Sequence, residues 1–157
     1  MSGEIPQPTL TLAYRLEAQI GELLDLGETH AGRRRIAHLT GGSFSGPGLA
    51  GELVPGASAD WQLILPDGTA IADIRYTLRT DDGALLYVRS QGVRHGPPAV
   101  LARIVAGEDV APAEYVYRLA TKIETAAPEL EWMNKGVFVA VGARGSAGVV
   151  YETYLAG

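Results

Sequence analysis

Between Thr9 and Leu155 the apolar residues recur mostly at every second position, and glycines or prolines break the alternation at short intervals. A period of two sends successive side chains to opposite faces of a strand, so the pattern dictates sheet, with a turn wherever glycine or proline falls. Twenty glycines and nine prolines in 157 residues punctuate many short strands, and no internal repeat groups them. A chain of this length is the size of one domain, here residues 1–157, and 46% apolar residues can build a core without disulfides. There is no cysteine, which excludes a disulfide framework, thiolate metal sites and a cysteine nucleophile.

Residues 1–8, with Pro6 and Pro8, read as a flexible lead-in. No basic, then apolar, leader pattern opens the chain, and no window approaches a membrane span, so the expected location is the cytoplasm. A formal charge of −5 argues against nucleic acid or an anionic membrane as partner.

The clearest strand is Thr9 to Ile20, with Leu10, Leu12, Tyr14, Leu16, Ala18 and Ile20 on one face. Weaker strands follow at Leu23 to Thr29 and Arg33 to Thr40, around a turn at His30-Ala31-Gly32. The run from Gly41 to Gly48 holds four glycines and reads as a bend or bulge rather than a regular element. Leu49 to Val54 and Asp60 to Leu65 are strands. Pro66-Asp67-Gly68-Thr69 is a hairpin turn into Ile71 to Arg79, and Asp81-Asp82-Gly83 turns into Ala84 to Val93. After a proline-rich crossing, Glu114 to Thr125 resumes the alternation. Ala126 to Lys135, opened by Pro128 and acidic residues and stopped by Gly136, is the one helical piece. Val137 to Ala143 and Val149 to Leu155 close the chain as a hairpin. Nine or ten strands with one short helix near the C-terminus predict an all-β antiparallel barrel, lipocalin-like or similar, whose first and last strands pair and whose interior holds a small ligand.

Several stretches carry a resemblance: Asp60-Trp61-Gln62, Asp73 to Gly83, Glu124-Thr125, and Trp132 to Phe138 with its Trp-Met-Asn-Lys-Gly-Val-Phe run. In order and spacing they resemble the bacterial and fungal family called domain of unknown function 3237 (DUF3237, UPF0311), from Leu12 to Tyr154. The resemblance implies a small β-barrel and supplies no activity, cofactor or catalytic residue.

Chemistry is therefore sought among polar side chains that share a strand face. Asp73 and Arg75 are neighbours on one face of Ile71 to Arg79, opposite Ala72, Ile74, Tyr76 and Leu78. Counting outward from the turn, residues 60 and 62 fall near 75 and 73, which predicts Asp60 and Asp73 in one pocket. There a low dielectric or a mutual charge raises one carboxyl pKa and allows proton transfer, with Arg75 as anion stabiliser. Asp60, Asp73 and Arg75 are accordingly the catalytic candidates, and Trp61, Tyr76, Tyr87, Arg118, Glu124 and Trp132 the candidate ligand contacts. Which face lines the lumen stays open: an aromatic one gives a hydrophobic pocket with hydroxyls, whereas a charged one gives an arginine fork with a carboxylate base. His30, His38 and His95 lack ligand spacing, so no metal is expected. The basic run Arg33-Arg34-Arg35 reads as a solvated face, and no cofactor fingerprint is present. Three functions fit: a cofactor-free isomerase, lyase or hydratase acting on a small, partly aromatic molecule; a non-catalytic carrier of such a molecule; or an interaction module that forms homodimers.

Overall fold

The alternating segments become nine strands of one antiparallel sheet in the computed structural model, which describes residues 2–157. The strands are β1 (Leu10–Thr29), β2 (Gly32–Gly46), β3 (Leu49–Leu53), β4 (Ala59–Ile64), β5 (Ala70–Thr80), β6 (Leu85–His95), β7 (Val116–Thr125), β8 (Phe138–Arg144) and β9 (Gly148–Ala156). Two short helices interrupt them, α1 (Pro98–Val105) and α2 (Trp132–Lys135). First and last strands pair as the sequence predicts, and β2 joins β5 through β3 at one end and β4 at the other, so the pairing closes into a ring of eight strands. Closure removes the exposed sheet edges that an open sheet of this size would carry.

Inside the ring the apolar parity of each strand forms the core. Tyr14 and Leu16 of β1, Ile74, Tyr76 and Leu78 of β5, Leu86 and Val88 of β6, and Phe138 of β8 are all buried. The two ends are closed differently. At one end α2 buries Met133 in the core that also holds Phe138; at the other, α1 buries Leu101 against the β4–β5 turn and Ile104 against the interior. Gly68 of that turn has φ +89°, and a Cβ there would stand 3.0 Å from Leu101 Cβ, so glycine serves both the turn and the seating of α1.

The structure corrects four details. Leu23 to Thr29 is not a separate strand but the continuation of β1, which runs unbroken to the His30-Ala31 turn. A register shift between Leu12 and Tyr14 also buries Ala13 and leaves Leu10 and Leu12 exposed, so the face predicted from Leu10 to Ile20 holds only from Tyr14 onward. The glycine-rich run is strand rather than bend as far as Gly46, with a register shift where Gln19 faces Gly41 and Ile20 faces Leu39. That shift leaves Thr40 over and returns Phe44 to the inner face with Leu39. Glycine is needed because β1 comes close: a Cβ on Gly46 would lie 1.9 Å from the Ala13 carbonyl oxygen. Third, the proline-rich crossing contains α1. Pro98 fits a first helical turn, and Leu101 and Ile104, three apart, give the helix a buried face.

Fourth, the β4–β5 register is one residue away from the predicted one. Asp60 faces Ile74, and Ala59 faces Arg75. The turn is tighter than counted, with Leu65 N–H donating to the Thr69 carbonyl (2.8 Å) and Thr69 N–H to Asp67 Oδ1 (2.9 Å). Because side chains alternate, a slip of one residue exchanges inside and outside.

Candidate functional site

Past Gln19, which pairs with Gly148, β1 parts from β9 and continues against β2 alone, so the wall opens at the end that α1 covers. There the inner parity of four strands ends in charge instead of apolar side chains: Arg35 of β2, Asp60 of β4, Arg94 of β6 and Arg144 of β8. Together with Gln62, Tyr117 and Tyr151 they enclose a cavity of about 30 Å³. By the space a water needs, that is room for roughly two waters or one small polar group. Ile20, Leu23 and Ile104 also line it, with Leu23 partly exposed to solvent and Ile104 buried.

Asp60 is 5% exposed. One carboxylate oxygen accepts from Gln62 Nε2 (3.0 Å) and the other from the Asp73 backbone N–H (3.1 Å). Burial outweighs these bonds and the attraction of Arg94, and pushes the carboxyl up to about 6. Among the described residues, none of the ion pairs involves Asp60.

The arginines are equally unusual. Arg35 and Arg94 are 8% and 4% exposed, and the Nε of each is buried without a hydrogen-bond partner. Arg94 lies over the ring of Tyr117, Cζ to centroid 5.8 Å, a cation–π contact that fixes its plane. Arg144 is tethered through Nη1 to the carbonyls of Gly145 and Gly148, and its backbone N–H donates to Tyr115 Oη (2.8 Å). Desolvation lowers Arg35 and Arg144 from the usual arginine value, and so do neighbouring guanidiniums, Arg33 for the first and Arg94 for the second. Three cations thus face one carboxylate, an excess of positive charge inside a protein of net charge −5.

A column of tyrosines connects this cavity with the apolar end. Tyr117 meets Tyr151 edge to face at 6.1 Å, Tyr151 stacks on Tyr76 at 6.2 Å, and the Tyr76 hydroxyl bonds that of Tyr14. Burial raises all four hydroxyls, Tyr14 to about 12.

Of the catalytic and ligand-contact candidates named from the sequence, only Asp60 lines the cavity, and Tyr76 reaches it through Tyr151. The expected pocket uniting Asp60 with Asp73 and Arg75 is corrected by the register: Asp73 and Arg75 point outward from β5. Asp73 touches the cavity only through its backbone, its side chain accepting from Gln91 Nε2 (3.2 Å) on the outer face. Arg75 covers the ring of Trp61, itself outward and 37% exposed, with Cζ 6.0 Å from the centroid. Tyr87, Arg118 and Glu124 occupy the outward parity of β6 and β7. Trp132 lies on α2 at the opposite end, against Phe138. The charged-lumen alternative therefore describes only the α1 end of the interior, with arginines other than Arg75 and Arg118. Arg35, Arg94 and Arg144 were hidden, the first in a basic run assigned to solvent. The signal that finds them is the apolar parity of each strand followed to its end: Leu86, Val88, Ser90, Gly92, Arg94.

The comparisons agree with this architecture. The family model described as protein of unknown function (DUF3237) matches residues 8–156. The chain belongs to the DUF3237 family. The UPF0311 protein RPA1785 of Rhodopseudomonas palustris is 35% identical over 149 residues, 94% of this chain and 97% of that one. A crystal structure of a β-barrel like protein from Acinetobacter baumannii superposes with a TM-score of 0.86 at 35% identity, covering 99% of this chain and 100% of the other. An enzyme from Penicillium herquei shares the fold, with a TM-score of 0.72 at 18% identity over the whole of both chains. DUF3237 membership thus fixes the barrel-like fold, and the site must speak for the chemistry. No helix among the described residues is long and apolar enough to cross a membrane.

Proposed function

We propose that this DUF3237 protein binds a small, partly hydrophobic molecule at the α1 end of the barrel and catalyses cofactor-free proton transfer on it, with Asp60 as the acid–base group. The observation that carries this reading is Asp60 itself: a buried carboxyl held near pKa 6, in a cavity whose other charged groups are all cationic. A base is most useful when its pKa lies near the working pH, because the ionised form is then populated and still able to take a proton.

In the proposed step the Asp60 carboxylate removes a proton from carbon next to a carbonyl. The C–H electron pair moves into the enolate, and Asp60 becomes the neutral acid. Returning that proton to another carbon completes an isomerisation, and giving it to a leaving group as that group is expelled completes an elimination; neither needs an oxidant or reductant. The guanidiniums of Arg94 and Arg144 favour the anionic intermediate over the neutral ground state, which is the differential binding that catalysis requires. The Penicillium herquei neighbour, described as an enzyme, supports a catalytic use of this fold only by analogy.

The test is deuterium exchange. Enolisable ketones and oxo acids of six to ten carbons are incubated with the protein in D2O and followed by NMR. Wild-type protein is expected to speed exchange at the carbon next to the carbonyl, and Asp60→Asn to lose the acceleration by a hundredfold or more, the usual scale of general base catalysis. Binding without exchange would turn the reading into a carrier. Equal exchange by both proteins would end the role of Asp60.

A further inference from the structure

The geometry points to an organic carboxylate with an apolar body as the ligand of this site: its head group enters the cavity and is held by Arg35 and Arg94, while its body lies by Leu23 and Ile104, where the wall opens. This deepens the proposed function and rests on it only for the location of the site.

Three observations converge. First, Arg35 and Arg94 each keep a buried Nε without a partner, although arginine presents five donors and buried donors are almost always satisfied. Leaving charged donors unpaired in the interior is costly, so their persistence calls for a partner that arrives from outside the chain. Second, the charge does not balance within the cavity. Asp60 is committed to Gln62 and the Asp73 N–H and ion-pairs with none of the three guanidiniums, so the excess positive charge is free for an incoming anion. A carboxylate suits a planar guanidinium, which it meets with two parallel hydrogen bonds.

Third, size divides the ligand. About 30 Å³ admits little beyond a carboxylate head and the carbon next to it, so the rest of the molecule must sit where the wall opens. The apolar side chains that line the cavity on that side are Ile20 and the partly exposed Leu23, from the stretch of β1 that has left β9, and Ile104 from α1. Such a division excludes sugars and nucleotides, whose polar bodies would be desolvated there without partners, and favours a fatty, aryl or oxo acid.

The experiment uses the full chain and titrates hexanoate, 1-hexanol and inorganic phosphate by calorimetry at low salt, with Arg35→Met and Arg94→Met beside wild type. Hexanoate is expected to bind at least tenfold more tightly than hexanol or phosphate, and each methionine variant to weaken hexanoate tenfold or more without affecting hexanol. In case a variant fails to fold, the arginine Nε–H resonances of wild type are followed by NMR, and those of Arg35 and Arg94 are expected to shift with hexanoate and not with hexanol. Equal binding of hexanoate and hexanol, tighter binding of phosphate, no binding of hexanoate, or unmoved Nε–H signals would each overturn the assignment. Asp60→Asn separates this inference from the proposed function. It is expected to bind hexanoate at least as well as wild type, since a like charge has gone, whatever happens to proton exchange.

Discussion

The two ends of the barrel are built from the same alternation and treat its inner face in opposite ways. At the α2 end the inner positions carry Tyr14, Phe44, Leu53, Leu78 and Phe138, with Tyr14 edge to face on Phe44 and Met133 buried in the same core. At the α1 end the same parity delivers three arginines and a carboxylate around a small void. One end spends its residues on cohesion. The other keeps buried charges that a fold alone does not need, and the proposed site rests on that contrast. The tyrosine column is the boundary: Tyr76 belongs to the first environment and Tyr117 to the second.

The sharpest way to break this comparison is to damage each end and compare the cost. Tyr76→Ala, in the packed region, is expected to destabilise the fold by about 3 to 5 kcal/mol in urea denaturation, the usual range for an aromatic truncated in a core. A loss below about 1 kcal/mol would mean that the apolar end is not the source of cohesion.

Asp60→Asn comes next, and its effect depends on pH. The folded carboxyl titrates at about 6 against an ordinary 3.8, so the folded state binds its proton more tightly than the unfolded one does. Stability must therefore rise as pH falls from 7 through 6 toward 4, by up to about 3 kcal/mol at roughly 1.4 kcal/mol per pKa unit. Denaturation at several pH values is expected to show this rise in wild type relative to Asp60→Asn; parallel curves would remove the perturbed carboxyl from the account.

Smaller again is Arg94→Met. Replacing a buried, unpaired cation by an apolar side chain is expected to leave the melting temperature unchanged or raise it by a few degrees, while carboxylate binding falls. A large loss of stability would make Arg94 structural. Least of all should Asp73→Ala and Arg75→Ala matter: both side chains face solvent, and each change is expected to cost less than about 1 kcal/mol and to leave ligand binding as it was.

The same contrast explains how far the sequence could be read. The barrel, its turns and the pairing of β1 with β9 were legible because an alternating chain punctuated by glycine has few other solutions. The site was legible only in Asp60. Counting across the β4–β5 turn is off by a single residue, which brings Asp73 and Arg75 opposite Asp60 when the register in fact puts Ile74 there. Arg35, Arg94 and Arg144 lie far apart in sequence, and only closure of the ring brings β2, β6 and β8 to one cavity. α1 was hidden because its prolines signal a loop as readily as a helix start.

The central claim is that the α1 end holds a carboxyl poised to exchange protons. It is tested most directly by following the carboxyl carbon of Asp60 by NMR in protein labelled at aspartate, with Asp60→Asn to assign the signal. A midpoint near 6, well apart from those of the exposed aspartates, is expected. A midpoint near 4 would contradict it, and would leave the arginine-lined cavity as a binding site without an acid–base group.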